Sequence, residues 1–193
     1  MRLAFALVLG LTGLRLALGP VLLLMAWGGV AGAPAVLVTL AALGSDYFDG
    51  VIARRFGLDS AAVRRFDSAT DAMFFVCAAL AAWHLHAGLL RPWLPLVWAV
   101  VALEIARYVF DWVKFRREAA YHAWSAKTWG LSLFAALVLL LGWGHASLVP
   151  LALGIGIVAD LEGLAISAVL PVWTHDVPSV WHARRIGRSL RVR

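Results

Sequence analysis

The sequence is poor in charged side chains and nearly free of cysteine. Charged residues make up 15% of the 193 positions, and Cys77 is the single cysteine. One cysteine excludes a disulfide framework within this chain and a metal site built on several thiolates, so we expect Cys77 to be a buried packing thiol. Intrinsic disorder is excluded as well, because disordered segments are rich in charge and poor in apolar residues.

Apolar residues dominate the composition. They make up 63% of the chain, and the mean hydropathy is +0.85. A water-soluble domain is nearer to about 45–50% apolar, and a chain of this length could not enclose the excess in a core. Since one helical crossing of a bilayer takes about 20 residues, the length allows roughly six or seven crossings at most. We therefore predict an all-α integral membrane protein.

Six apolar runs have the length of a membrane span. They cover residues 3–28, 33–53, 68–90, 93–115, 126–144 and 147–171. We therefore expect a bundle of six transmembrane helices in a membrane domain, 1–171, followed by a basic tail, 172–193. The tail carries five arginines and two tryptophans, a composition that suits a segment lying on anionic headgroups.

The cationic residues sort by side of the membrane. Thirteen of the 17 Lys and Arg residues fall on one side of the six predicted spans, and Arg91 stands alone on the other. Because cytoplasmic loops hold the excess of positive charge, both termini are predicted to be cytoplasmic. The net charge of +6 does not indicate nucleic acid, since basic residues in so apolar a chain fit anionic lipid headgroups. Three cations remain inside or at the edge of spans, namely Arg15, Arg107 and Lys127.

The acidic residues cluster in one short stretch. Five of the 11 lie between positions 46 and 71, and we assign one of them, Asp59, to a solvated loop. Asp46 and Asp49 are three residues apart, so they share one helix face. Asp67 and Asp71 are four apart and share another. Two such faces turned toward each other would collect four carboxylates that repel one another unless cations lie between them.

The ligand types favour a pair of hard divalent cations. Carboxylates without Cys or His select Mg²⁺ or Mn²⁺ over zinc, and none of the six His residues lies in this stretch. Two such metals commonly hold the attacking and leaving oxygens of a phosphoryl displacement. Arg54 can hold a phosphate bidentately, and Gly50 lets a ligand approach the backbone. The alternative, in which the acids only pair with nearby arginines, is disfavoured because acids within apolar helices are expensive and default to function.

The order and spacing of these residues form a motif. The sequence reads DYFDGVIAR at 46–54, and Asp67 and Asp71 follow. This arrangement resembles the signature of the CDP-alcohol phosphatidyltransferase family, D-x-x-D-G-x-x-A-R, eight residues, G, three residues, D, three residues, D. One position departs from it, since Val63 stands at the place of the second glycine. Weaker similarity extends to Leu11-Thr12-Gly13-Leu14-Arg15 with Pro20, and to Ser125-Ala126-Lys127-Thr128.

The resemblance implies an enzyme of phospholipid biosynthesis that has six helices and usually forms a homodimer. Such an enzyme transfers a phosphatidyl group from CDP-diacylglycerol to an alcohol and releases CMP. By family likeness the metal pair is bound by Asp46, Asp49, Asp67 and Asp71. Asp71 is also the general base for the acceptor hydroxyl, and the CDP-lipid is contacted by Gly50, Ala53 and Arg54, with Val63 beside the nucleotide. We expect a multi-pass protein of the bacterial inner membrane whose active site faces the cytoplasm.

The identity of the acceptor is suggested only by charge near the site. Arg107 and Lys127 are predicted at membrane depth on the cytoplasmic half, where a solitary cation is best explained by an anionic partner. A phosphorylated acceptor such as glycerol 3-phosphate would provide it, so both are candidate acceptor-binding residues. Alternatively, Arg107 pairs with Glu104 or Asp111 on its own helix, and Lys127 extends to the interface. Inositol phosphate, serine or another lipid also remain open as acceptors.

Two other functional classes remain as alternatives. A small ion-coupled transporter would also bury aspartates, but it predicts paired broken helices in two related halves, and the sequence shows no internal repeat. A catalytically silent membrane scaffold is suggested by Val63 and predicts no metal-dependent turnover. The four intact aspartates favour the enzyme.

Overall fold

The computed structural model describes residues 1–58, 60–117, 121 and 123–191. Asp59, Val192 and Arg193, which the sequence analysis assigned to a loop and to the tail, lie outside the described residues. All regular secondary structure in the described part of the chain is helical, which confirms the all-α prediction. The helices are α1 (Arg2–Trp27), α2 (Ala33–Phe56), α3 (Ala61–Leu90), α4 (Leu94–Phe115), α5 (Trp124–Trp143), α6 (Val149–Val169) and α7 (Val180–Arg191).

Five stretches of the described residues are long and apolar enough to cross a membrane. The third of them, 62–115, runs through both α3 and α4, which are joined by the short 3-10 turn Arg91–Trp93. Large apolar side chains such as Leu37, Trp98 and Val113 are exposed on these helices, as a lipid-facing surface requires. The chain thus has the helices of an integral membrane protein, while the count of six spans and the side of the termini stay predictions.

Proline and glycine set the helix ends. Pro34 lies in the first turn of α2, where its missing N–H is not needed. α2 ends at Gly57, whose φ of 62° is the left-handed conformation that glycine adopts readily. The connection to α3 is therefore only a few residues long, and both helices extend further into it than the predicted spans 33–53 and 68–90. The hydropathy of the sequence did not predict these additional helical turns, because polar residues end an apolar run without ending a helix.

The chain divides into two compact units, and unit 1 comprises Met1–Leu90 and Leu137–Ala146. In this unit α1 packs against both α2 and α3. Small residues on the packed faces let the backbones approach closely, as in other membrane helices. At Gly19 of α1, an added Cβ would lie 3.2 Å from the Phe74 Cα and 3.3 Å from the Cys77 Cβ of α3. Cys77 is buried at this contact, which confirms that it is a packing thiol.

Unit 2 comprises Arg91–Ala136 and Ser147–Arg193. In this unit α6 packs against α4 and against α7. A buried apolar cluster in unit 2 consists of Tyr121, Ala123, Ile166, Leu170, Val177 and Ala183. Gly187 brings α7 close to the end of α6, since an added Cβ there would lie 3.3 Å from the Val169 carbonyl oxygen. The opposite face of α7 exposes Arg184, Arg185 and Arg188.

Candidate metal and nucleotide site

The two predicted acidic pairs meet in unit 1. α2 carries Asp46 and Asp49 less than one turn apart, and α3 carries Asp67 and Asp71 about one turn apart. One carboxylate oxygen from each of Asp46, Asp49 and Asp67 lies within 4.8 Å of the others. The structure therefore turns the two acidic helix faces toward each other, as the sequence analysis considered.

A buried arginine joins all four acids. The Arg15 side chain of α1 is 0% exposed, and its guanidinium forms an ion pair with each carboxylate. One terminal nitrogen, Nη1, contacts Asp46 and Asp71. The other, Nη2, lies 2.8 Å from Asp49 Oδ2 and 2.5 Å from Asp67 Oδ1. Arg15 thus bridges α1 to both acid-bearing helices.

Asp49 lies on the buried side of this cluster, which we call its closed side. Its side chain is 3% exposed, whereas Asp46, Asp67 and Asp71 are each 38–39% exposed. The Thr12 hydroxyl lies 3.0 Å from Asp49 Oδ2 and 2.9 Å from the Val8 carbonyl oxygen, so its one proton can serve either acceptor. The three half-exposed acids face the side from which reactants could enter.

The charge of the cluster and one unpaired oxygen fit a divalent cation. Four carboxylates against one guanidinium leave a formal charge of −3 around the buried Arg15. Asp49 Oδ1 is buried and has no hydrogen-bond partner among the described residues. Buried carboxylate oxygens ordinarily have partners, and oxygen-only donors are those that Mg²⁺ and Mn²⁺ prefer. The donor set therefore suits hard divalent metals.

The predicted nucleotide residues lie next to the acids on α2 and α3. Gly50 is half-buried, and the exposed Arg54 side chain folds back over it, so an added Cβ would lie 3.2 Å from Arg54 Nη1. Ala53 is buried on the same helix. Val63 is half-buried in the first turn of α3, and its N–H donates to Ser60 Oγ at 3.3 Å. These positions thus combine the small residues Gly50 and Ala53 with the exposed cation Arg54 on the helix that carries Asp46 and Asp49.

The two predicted acceptor-binding residues lie in unit 2. Arg107 Nη2 lies 2.5 Å from Glu104 Oε1, one of the two partners that the alternative interpretation offered along α4. Arg107 Nε lies 3.4 Å from Asp160 Oδ1 of α6, a partner that sequence spacing could not reveal. Lys127 is exposed in the first turn of α5. The positive charge of Arg107 is therefore offset by two carboxylates, whereas Lys127 is open to solvent or headgroups.

A second network in unit 2 accounts for the other buried acid. Ser167 Oγ donates to Asp111, the alternative partner considered for Arg107. Since the single Ser167 proton is used there, the Tyr121 hydroxyl at 2.8 Å donates to Ser167. Burial raises the pKa of the Tyr121 phenol, which keeps that donor protonated. Lys114 Nζ donates to the Ser167 and Ala168 carbonyl oxygens and so caps α6.

Sequence reasoning missed Arg15 and Thr12 as site residues. Arg15 was recognised as a costly cation within a span and as part of the first-helix similarity, but its partners were not assigned. An unexplained positive charge at membrane depth, in a chain that also buries four negative charges, is the feature that could have joined them. Thr12 offered no such indication, because a threonine in an apolar helix commonly bonds its own backbone.

Comparison with known proteins gives one result. The family model described as CDP-alcohol phosphatidyltransferase matches residues 7–178, which include all four aspartates and Arg15. No curated protein and no solved structure matches the chain.

Proposed function

Because the chain belongs to the CDP-alcohol phosphatidyltransferase family, we propose that it transfers a phosphatidyl group from CDP-diacylglycerol to an alcohol and releases CMP. The family places the protein in phospholipid synthesis as a transferase. The observation that carries the proposed reaction is the cluster of Asp46, Asp49, Asp67 and Asp71 around Arg15, in which three of the acids are half-exposed.

The four aspartates are the proposed ligands of two divalent cations, Mg²⁺ or Mn²⁺. When bound, such a pair supplies positive charge that stabilises the phosphate oxygens of the donor. Support comes from the formal charge of −3 and from the unpartnered Asp49 Oδ1. Three carboxylate oxygens within 4.8 Å of one another also suit a shared cation.

Asp71 is the proposed general base. It is half-exposed, so its carboxylate can reach the hydroxyl of an entering alcohol and accept its proton. The deprotonated alcohol oxygen then forms a bond to the lipid phosphorus, and the bond from that phosphorus to the oxygen of CMP breaks. Arg54 is placed to hold the pyrophosphate of the donor, while Gly50 and Ala53 leave room for the cytidine nucleotide.

Glycerol 3-phosphate is the proposed acceptor, with inositol phosphate, serine or another lipid as alternatives. Lys127 supports an anionic acceptor because it is exposed and cationic. Arg107 supports it less, since it would have to exchange Glu104 or Asp160 for the phosphate. Lys127 is therefore the first residue to vary when acceptors are compared.

The proposal includes the location and assembly of the protein. Both termini and the active site are proposed to lie on the cytoplasmic side of the bacterial inner membrane. The excess of cations in the predicted cytoplasmic segments supports this orientation. A homodimer follows from the family resemblance. Cross-linking in native membranes and labelling of single introduced cysteines from each side would test these two parts.

The test is CMP release by the purified protein in detergent with CDP-diacylglycerol and Mg²⁺ or Mn²⁺. Glycerol 3-phosphate is compared with inositol phosphate, serine, choline and ethanolamine. We expect release that stops on chelation and that falls by about 10²–10⁴-fold in Asp71→Asn, since that is the usual contribution of a general base.

Other outcomes have definite meanings. Release that is unaffected by chelation would contradict the metal proposal. No release with any acceptor would favour the silent scaffold or a CDP-linked donor other than CDP-diacylglycerol. Metal-dependent release that prefers an uncharged acceptor would remove glycerol 3-phosphate while keeping the transferase.

A further inference from the structure

Arg15 is the only described residue that contacts all four aspartates of the cluster. Its two terminal nitrogens divide the carboxylates evenly, with Asp46 and Asp71 on Nη1 and Asp49 and Asp67 on Nη2. Each terminal nitrogen carries two hydrogens, so all four of these donors have an acceptor. The guanidinium therefore ties together carboxylates from two different helices.

Among the described residues, the Arg15 side chain forms hydrogen bonds only with these four aspartates. Its side chain is wholly buried, and Nε has no hydrogen-bond partner among the described residues. Gly19, one turn further along α1, brings that helix within contact distance of α3 at Phe74 and Cys77. The close packing fixes the depth at which the guanidinium enters the cluster. Arg15 thus contacts the carboxylates from the buried interior of the unit.

We propose that Arg15 competes with the divalent cations for the four carboxylates. Its guanidinium holds these carboxylates together, and a metal must displace it in part. This inference depends on the metal site of the proposed function. A cation bound by these oxygens lies about 2.1 Å from them, while Arg15 already contacts one oxygen of each carboxylate. The two positive groups would then lie a few ångströms apart at a place of low dielectric, where like charges repel strongly.

The competition has two opposite consequences. Without a metal, Arg15 is the counter-ion that lets four carboxylates lie close together, since like charges at short range repel one another. With a metal, the same guanidinium weakens binding. Removing the charge of Arg15 should therefore make the protein less stable without metal and yet make it bind metal more tightly.

The experiment compares wild type with Arg15→Gln, which keeps a polar side chain without the charge. Mn²⁺ itself is the probe, and its affinity is measured by titration of the free-ion electron spin resonance in detergent. The thermal midpoint is recorded with and without Mn²⁺. We expect at least about tenfold tighter Mn²⁺ binding, a lower midpoint without Mn²⁺ and a larger rise on adding it.

Two further variants separate competition from general damage. Arg107→Gln also removes an arginine paired with carboxylates within a predicted span, but outside the cluster. It should lower the midpoint and leave Mn²⁺ affinity unchanged. Arg15→Lys keeps the charge but has no planar fork, so its Mn²⁺ affinity should lie nearer to wild type than that of Arg15→Gln.

Several results would overturn the proposal. They are Mn²⁺ affinity in folded Arg15→Gln that equals or falls below wild type, failure of that variant to fold even with Mn²⁺, and absence of Mn²⁺ binding to wild type. Failure of the proposed function looks different, because wild type would then bind Mn²⁺ without releasing CMP. Conversely, if wild type releases CMP and Arg15→Gln shows no gain in affinity, the transferase stands and only the competition is wrong.

Discussion

Each of the two units contains an arginine paired with carboxylates inside its helices, but the charge balance differs. In unit 1, Arg15 meets four carboxylates, which leaves a formal −3. In unit 2, Arg107 meets Glu104 and Asp160, which leaves −1. Asp111, which with Asp160 is one of two buried acids on α4 and α6 among the described residues, accepts a hydrogen bond from Ser167 instead. The excess of negative charge is thus concentrated in unit 1.

The comparison shows which features make the unit 1 cluster the better candidate for a metal site. An unpartnered oxygen is not such a feature, because Asp49 Oδ1 in unit 1 and Asp160 Oδ2 in unit 2 are both buried and neither has a hydrogen-bond partner in the described part of the chain. The number of carboxylates and their net charge are such features, since four carboxylates converge on one arginine in unit 1 and only two do so in unit 2. Three of the four in unit 1 are also half-exposed. A cluster that is both strongly negative and open to reactants is where a dication lowers the free energy most.

The largest expected effect comes from removing one charge in each unit. Asp49→Asn takes a proposed metal ligand from the closed side of the cluster, so metal-dependent CMP release should fall by more than about a hundredfold, since even residues behind the ligands change activity by about 10–100-fold. Asp111→Asn removes a carboxylate that is equally buried but bound to Ser167. Its turnover per folded molecule should remain close to that of wild type.

The two variants are compared by CMP release at saturating Mn²⁺, after the folded fraction has been determined by size-exclusion chromatography. The distinction between the units would be contradicted if Asp111→Asn remained folded but lost as much turnover as Asp49→Asn. In that case the buried acid of α4 would take part in the reaction.

The next effect concerns the packing that holds Arg15 in place. Gly19→Ala puts a methyl group 3.2 Å from the Phe74 Cα, and a backbone atom cannot move aside as a flexible side chain can. Overpacking of this kind costs about 1–3 kcal/mol. Because α1 would shift relative to α3, both the thermal midpoint and CMP release should fall.

Gly13→Ala is the matched control on the same helix. An added Cβ at Gly13 has no neighbour within 4 Å, so this change should gain up to about 1 kcal/mol of helix propensity. Equal losses in the two variants would mean that the close approach of α1 to α3 does not position Arg15. Thermal unfolding followed by circular dichroism provides the first measurement, and CMP release provides the second.

Local spacing accounts for what the sequence could predict. The pairs Asp46 with Asp49 and Asp67 with Asp71 follow from helix periodicity alone, and so does Arg107 with Glu104. The helical class followed from the length and hydropathy of the apolar runs. The helix ends in the short connection after Gly57 were less well predicted, because hydropathy reports burial in lipid and not helix continuity.

Contacts between helices account for what the sequence could not predict. Arg15 lies 31 residues from Asp46 and 56 residues from Asp71 along the chain, so only packing of three helices brings them together. The ion pair of Arg107 with Asp160 is of the same kind. For such pairs the sequence shows a cation and an acid that each need a partner, but many combinations satisfy that need.

The smallest expected effect tests the one departure from the family motif, at the edge of the unit 1 site. Val63→Gly restores the family residue in the first turn of α3, where the valine is half-buried. We expect CMP release similar to wild type or higher, with a loss of about 0.5 kcal/mol in helix stability, since valine is itself a weaker helix former than alanine. Exposed Ala62→Gly is the control, since it weakens the same turn without opening space beside the acids.

If the KM for CDP-diacylglycerol falls only in Val63→Gly, the valine narrows the nucleotide pocket. A large loss of turnover in Val63→Gly alone would show that Val63 does not lie beside the nucleotide and that the valine itself supports the site.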